Sequence, residues 1–232
     1  MSNLVLWGHH IDEYQEMFDL TPAQLDGKFL EYSSGPSAFN AEMRQRGKNC
    51  ISCDPLYTLD KATLTSKTAL IFADMAEKVQ REEDKFDFSK YGNIDGLIEK
   101  RQAGMAVFFA DYLAGKKEKR YVPIHDITLP FPDFSFDLAI SSHYLFGEIE
   151  NQDLDFHLQV LKELARVAKE VRVFPLIDRN GKPSPFLGPV LLGLQKDNYG
   201  VEVRSVDYHL QPKGNAMLRI WAQECRLGDD AQ

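Results

Sequence analysis

The chain has 232 residues, 44% hydrophobic and 27% charged, with 35 acids against 27 bases and a formal net charge of -8. This balance is that of an ordinary soluble protein with one large domain and a sizeable core, and it disfavours a polyanion as the main partner, since nucleic-acid surfaces need clustered Lys and Arg. No window approaches about 18 continuous apolar residues, so no membrane span is predicted. The opening Met1–Trp7 lacks a basic leader and a long apolar stretch, and Cys50, Cys53 and Cys225 do not make a disulfide framework. Together these features predict a cytoplasmic location.

Residues 1–27 read as an N-terminal helical segment, with Ile11, Tyr14 and Phe18 at helical spacing and Thr21-Pro22 as a fresh helix start. A first strand is expected at Lys28–Tyr32, a helix from Ser37 to Gln45 closed by Gly47, and a second strand at Cys50–Asp54. Cys50 and Cys53 have C-x-x-C spacing, but on a strand an offset of three sends the two sulfurs to opposite faces, which predicts core residues rather than a metal or redox pair. Residues 57–119 hold two helical patterns, Leu64 to Val79 and Ile94 to Tyr112, separated by a polar and aromatic loop. This reads as a helical insertion lying over a ligand crevice as a substrate cap. The basic run Lys116 to Arg120 suits a helix C-terminus.

A third strand is expected at Tyr121–Ile124, a fourth at Asp137–Ser142, an amphipathic helix over 153–169 with Asp153 as cap, and a fifth strand at Val171–Leu176. A helix from Ser184 to Asn198 precedes two strands, Val201–Tyr208 and Ala216–Gln223. Strands alternating with helices imply a parallel sheet, and a short link between the last two implies antiparallel pairing. The predicted fold is therefore α/β: one doubly wound, mostly parallel sheet with a C-terminal antiparallel hairpin, in a single domain over 1–232.

Glu31 ends the first strand, a turn rich in small residues follows, and Asp54 ends the second strand. That is the layout of a nucleotide site at the carboxyl edge of a doubly wound sheet, where small residues admit a ligand close to the backbone and an acid holds ribose hydroxyls.

These segments carry a resemblance. Glu31-Tyr-Ser-Ser-Gly-Pro-Ser37, Asp54, Asp126 with Leu129-Pro-Phe-Pro-Asp-Phe-Ser-Phe-Asp137, and the terminal hairpin resemble class I S-adenosylmethionine-dependent methyltransferases over about residues 28–223, the insertion excluded. Gly35 to Phe39, Cys53 to Tyr57 and Ser142 to Phe146 are similar to a bacterial group of such proteins whose substrate is unknown. The resemblance implies S-adenosylmethionine as cofactor. Glu31, Ser33, Gly35 and Ser37 would hold its methionine end, Asp54 its ribose, and Pro55, Leu56, Asp126 and Ile127 its adenine, with Ser142 nearby. One departure is that Ser33 and Ser37 stand where the family usually has Gly; if position 33 needs positive φ, a serine there is strained.

Beyond the cofactor residues, His143 follows the fourth strand as a candidate general base, although many methyl transfers need none because alignment supplies much of the acceleration. Arg101 interrupts an apolar helical stripe and is either paired with an acid such as Asp111 or Glu77, or aimed at an anionic substrate group; Arg101, Tyr91 and Phe146 are the candidate substrate residues. His9 and His10 read as surface or lid residues, and no metal site is expected. Tyr14 and Phe18 either close over the cofactor or pack in the core. The reading is a methyltransferase acting on a small molecule, without nucleic-acid or membrane partners. Its rivals are a non-catalytic cofactor-binding or interaction protein of the same fold and a nicotinamide-dependent oxidoreductase.

Overall fold

The computed structural model describes residues 7–147, 152–178 and 180–222. The leader reading of residues 1–6, Gln223 at the end of the hairpin, and Cys225 lie outside the described residues.

Seven strands form one sheet: β1 (Lys28–Tyr32), β2 (Asn49–Asp54), β3 (Tyr121–Pro123), β4 (Phe136–Ser142), β5 (Ala168–Phe174), β6 (Tyr199–Ser205) and β7 (Ala216–Ala222). Their order is β3-β2-β1-β4-β5-β7-β6. The first five are parallel, whereas β7 pairs antiparallel with both β5 and β6. This is the Rossmann-like methyltransferase fold. The sheet reverses direction between β1 and β4, where Glu31 lies opposite Ile140, and ligand crevices form at such switch points.

Side-chain alternation along the strands feeds two cores. Leu30, Tyr32, Ala139, Val171 and Leu218 face α5 (Leu154–Val167) and α6 (Leu187–Lys196). Phe29, Leu138, Ile140 and Met217 face the opposite way, onto α1 (Ile11–Met17) and α2 (Phe39–Gln45). Cys50 and Cys53 fall into these two different cores and are both free, as an offset of three on a strand requires. The α5 stripe of Val160, Leu161, Leu164 and Ala165 is buried, and Asp153 caps the helix by accepting from the Phe156 N–H at 2.8 Å.

Between β2 and β3 stand two long helices, α3 (Lys61–Arg81) and α4 (Ile94–Lys117), capped by Asp60 and Asn93. They build two satellite cores, one around Phe72, Met75 and Leu97 and one around Tyr57, Phe108 and Tyr121.

Two local expectations are corrected. Thr21-Pro22 opens no α-helix; only a single 3-10 turn, Gln24–Asp26, forms before β1. Helix α5 ends at Val167, and β5 begins at Ala168 with no intervening loop. Beyond these expectations, the sheet order places β7 inside the sheet and β6 at its edge. β6 carries Glu202 and Arg204, whereas β7 buries Met217, Leu218 and Ile220, so the charged strand takes the exposed place.

Candidate functional site

The ends of β1 and β2 place two acids side by side, both almost fully enclosed: Glu31 is 1% exposed and Asp54 5%. Glu31 accepts hydrogen bonds from the Tyr14 hydroxyl at 2.7 Å and from the Ser52 hydroxyl. Asp54 accepts from the Gly35 N–H at 2.8 Å and the Leu56 N–H at 2.7 Å. Neither forms an ion pair among the described residues. Burial pushes the Asp54 carboxyl up to about 6 despite those two N–H donors, and the Glu31 charge adds to the rise. Burial raises Glu31 too, against its hydroxyl donors. Two neighbouring buried carboxylates thus lack a countercharge, an arrangement with a desolvation cost that an approaching cation relieves.

The turn between them curls over Asp54. Ser33 adopts φ 53 and Gly35 φ 59, so position 33 does require the left-handed conformation and the serine there is strained. The Ser33 and Ser34 hydroxyls are buried and find no hydrogen-bond partner. Ser37 is buried and its hydroxyl accepts from the Phe39 N–H at 3.1 Å. The Tyr57 hydroxyl donates to the Gly35 carbonyl at 2.8 Å.

The N-terminal segment closes over this turn. The Trp7 indole lies against Gly35 so closely that a Cβ there would come within 2.7 Å of Nε1. The Ala38 N–H donates to the His9 carbonyl at 3.0 Å, and the Ile11 N–H to Glu42 at 2.7 Å. Gly8, at φ 90, is pressed into α4, where a Cβ would stand 2.0 Å from the Arg101 carbonyl; that contact and the positive φ both demand glycine.

Of the two alternatives read for Arg101, the structure shows pairing with an acid, though with a different partner. The side chain is fully buried, and its partner is neither Asp111 nor Glu77 but Glu13 on α1, 3% exposed, with both carboxylate oxygens 2.6 Å from Nη1. Arg101 Nη2 also donates to the Tyr208 hydroxyl at 2.8 Å and the Tyr91 hydroxyl at 3.2 Å, while the Tyr91 hydroxyl donates to Glu13 at 2.7 Å. Arg101 and Tyr91 therefore bolt the N-terminal segment to α4. Asp111 instead pairs with Arg120, by bonds of 2.7 and 2.8 Å.

At the end of β4, Ser142 is buried and its hydroxyl lies 2.7 Å from His143 Nδ1. His143, at φ 56, is half-buried and stacks on His9, with ring centroids 4.7 Å apart and planes 14° from parallel. Burial and the Arg101 charge push His143 down to about 3, and burial and Arg101 also lower His9. Both rings are neutral near neutral pH, so His143 is a weak proton acceptor there and does not suit the general-base role read from the sequence. His9 is buried, and His10 bonds Glu42 at 2.7 Å, so the surface reading of this pair is also corrected. Phe146, offered as a substrate residue, is fully buried in the α5-side core with its ring 5.1 Å from His157. It is a packing residue.

Asp126 is exposed and Ile127 half-buried, just past β3; Leu56 is half-buried and Pro55 exposed past β2. Sequence reasoning missed Glu13, Ser52, Tyr57 and Tyr208, whose roles arise from contacts across distant segments. The signal for Glu13 was its place on the same helix as Tyr14, facing the interior. Among the described residues no group of three or more His, Cys, Asp or Glu is placed to hold a metal, and no helix is long and apolar enough to cross a membrane.

No family model matches the chain. Over 222 residues it is 28% identical to an uncharacterized protein of Methanocaldococcus jannaschii, covering 95% of this chain and 97% of that one. Among solved structures it resembles a SAM-dependent methyltransferase of Aquifex aeolicus, with 15% identity, a TM-score of 0.40, and coverage of 90% of this chain and 92% of the other. A second likeness is to a SAM-dependent methyltransferase of Thermotoga maritima described as a possible histamine N-methyltransferase, with 15% identity, a TM-score of 0.42, and coverage of 92% and 89%.

Proposed function

We propose that the chain is an S-adenosylmethionine-dependent methyltransferase acting on a small molecule. The observation that carries this reading is the pair Glu31 and Asp54, two buried acids at the ends of adjacent strands that pair with no cation among the described residues. S-adenosylmethionine brings an ammonium, a sulfonium and a ribose diol, and such a set answers both acids. The unpartnered hydroxyls of Ser33 and Ser34 fit the same group. A dinucleotide, by contrast, would bring an anionic pyrophosphate to two uncompensated carboxylates, which disfavours the nicotinamide rival.

In this reading Glu31 and the 33–37 turn hold the methionine end, Asp54 accepts the ribose hydroxyls, Leu56 and Ile127 flank the adenine, and Asp126 accepts its exocyclic amine. The cofactor supplies an electrophilic methyl group. Trp7 and Tyr14 exclude water from the turn, and because Glu31 and Asp54 are enclosed, entry requires the N-terminal segment to lift. His143 stays neutral and orients the acceptor through a hydrogen bond, while α3 and α4 act as the acceptor-side cap. The strained Ser33 and the closed segment favour one alternative, a cofactor sensor of the same fold without turnover.

Calorimetric titration of S-adenosylhomocysteine tests the reading. The wild-type chain binds it, and Asp54→Ala weakens binding by about tenfold to a hundredfold, the scale of a lost charge-assisted hydrogen bond. Unchanged affinity in that variant removes the assignment. Cofactor binding with no turnover across a broad acceptor screen selects the sensor.

A further inference from the structure

A buried line of hydrogen bonds runs from Arg120, just before β3, through Asn40 on α2 and Ser52 on β2, to Glu31 on β1. Arg120 Nη1 donates to Asn40 Oδ1 at 2.6 Å, Asn40 Nδ2 donates to Ser52 Oγ at 2.8 Å, and the Ser52 hydroxyl donates to Glu31 Oε2. Arg120 is itself held in place by Asp111, through Nη1 at 2.7 Å and Nη2 at 2.8 Å, and by Glu118 through Nε at 2.8 Å.

The line has one direction, set by what each member can donate. A guanidinium only donates, so the Asn40 atom facing it is the carbonyl oxygen. The Asn40 amino group is thereby turned to three acceptors, Ser52 Oγ and the carbonyls of Cys50 and Arg120, the last two at 3.1 and 3.3 Å. The reversed amide would set N–H against N–H at one end and oxygen against carbonyls at the other. Because Ser52 Oγ accepts from Asn40, its single proton is left for Glu31 Oε2. A neutral Glu31 would have to carry its own proton at Oε1, where the Tyr14 hydroxyl already donates at 2.7 Å. Both carboxylate oxygens are therefore placed as acceptors. Burial is the main force raising the Glu31 carboxyl, and the Ser52 hydroxyl is the foremost donor opposing it.

From this one-way line we infer that Asn40 and Ser52 are positioning residues: anchored on Arg120, they hold Glu31 ionised and oriented to accept from a cationic N–H group of the bound ligand. The guanidinium polarises the amide, and the amide strengthens the Ser52 hydroxyl as a donor. Both intermediate groups are neutral, so the Glu31 charge is supported without being cancelled and stays available to a ligand. Naming that cationic group the ammonium of S-adenosylmethionine rests on the methyltransferase reading; the direction of the line does not.

The test uses the full chain with carbon-13 in its glutamate carboxyls and nitrogen-15 in its asparagine side chains, the Glu31 signal being assigned by its loss in Glu31→Gln. In the wild-type chain Glu31 is expected to be ionised at pH 7.5, and the Asn40 side-chain amide to follow the Glu31 midpoint as pH falls. Ser52→Ala, a small change, raises that midpoint by about one unit and silences the Asn40 response. Asn40→Leu raises it by about half a unit when Ser52 is present and adds nothing in the Ser52→Ala background, as a serial line requires. The inference is overturned by a neutral Glu31 at pH 7.5, by a midpoint that Ser52→Ala does not move, or by an Asn40 amide that still follows Glu31 without Ser52; none of these needs the Asn40 variant to fold. An Asn40→Leu shift that persists undiminished in the Ser52→Ala background overturns it as well. S-adenosylhomocysteine titrated into the same samples separates the two claims. Ser52→Ala is expected to weaken its binding about tenfold at pH 6.5 and only about threefold at pH 8.5, where the carboxyl is ionised again; an equal loss at both pH values makes the serine merely structural and removes the positioning role. If S-adenosylhomocysteine fails to bind the wild-type chain while the Asn40 amide follows Glu31, the methyltransferase reading falls and the line stands; if it binds while the Asn40 amide is silent, the line falls alone.

Discussion

Three buried acids are treated in two opposite ways. Glu13 is met by a dedicated guanidinium, Arg101, and by the Tyr91 hydroxyl, so the protein cancels its charge internally. Glu31 receives hydroxyls alone, and Asp54 receives backbone N–H groups alone. The first arrangement is a structural bolt between α1 and α4. The second leaves negative charge enclosed without a countercharge among the described residues, which a fold does not need for its own stability. The contrast separates acids that hold the protein together from acids reserved for a ligand.

Breaking the bolt gives the largest effect. Arg101→Met leaves Glu13 buried and unpaired, and is expected to lower unfolding free energy by about 3–5 kcal/mol in chemical denaturation. The pair Arg101→Met with Glu13→Leu recovers much of that loss. A loss under about 1 kcal/mol in the single variant would mean the bolt is not rigid.

Neutralising the other acid sharpens the comparison, because it has the opposite sign. In Glu31→Gln the amide keeps hydrogen bonds with the hydroxyls of Tyr14 and Ser52 while the enclosed charge disappears. The free protein gains up to about 1–2 kcal/mol at pH 7.5, and S-adenosylhomocysteine affinity falls. Burial raises the Glu31 carboxyl, so the folded chain holds that proton more tightly than the unfolded chain does. Ionisation therefore costs stability above its folded value, and the cost fades as pH falls toward the ordinary carboxylate range. A wild-type chain that loses stability relative to Glu31→Gln on mild acidification contradicts this.

Asp54 supplies a pH signature for binding. Its carboxyl is pushed up to about 6, and the ionised form is the one that accepts hydroxyls. Affinity for S-adenosylhomocysteine is expected to hold above pH 6 and to fall by up to about tenfold per unit below it. A flat profile from pH 7 to 5 would detach Asp54 from the ligand. His143, pushed down to about 3, contributes no limb near neutrality, so a turnover profile with a His143-dependent step near 6.5 would restore the general-base role.

The smallest effect lies at the turn. Ser33→Gly relieves φ 53 and removes an unpartnered hydroxyl, which is expected to raise stability by about 0.5–1 kcal/mol, read as a shift of the denaturation midpoint. If cofactor affinity rises with it, the strain bears on binding; if affinity drops, the hydroxyl does.

Much of the fold was legible because it is written in local periodicity. The α5 stripe, the small-residue turn between β1 and α2, and the Pro/Gly link before β7 each specify an element without reference to distant chain. The positions of Glu31 and Asp54 at the carboxyl edge were legible for the same reason: each follows directly on an apolar strand. Phe146 misled because an aromatic residue near a strand end looks alike whether it faces a crevice or a helix. Here α5 claims it, with His157 Nε2 accepting its N–H at 3.2 Å.

The sequence by itself determined the alternation of strands and helices, the terminal hairpin, and the two acids flanking a tight turn, because strand and helix periods and turn chemistry act over a few neighbouring residues. Only the tertiary structure decided that β7 would lie inside the sheet, that Arg101 would reach back 88 residues to Glu13, and that His9 would stack on His143. Those outcomes depend on which buried charges and apolar faces find partners when remote segments pack together.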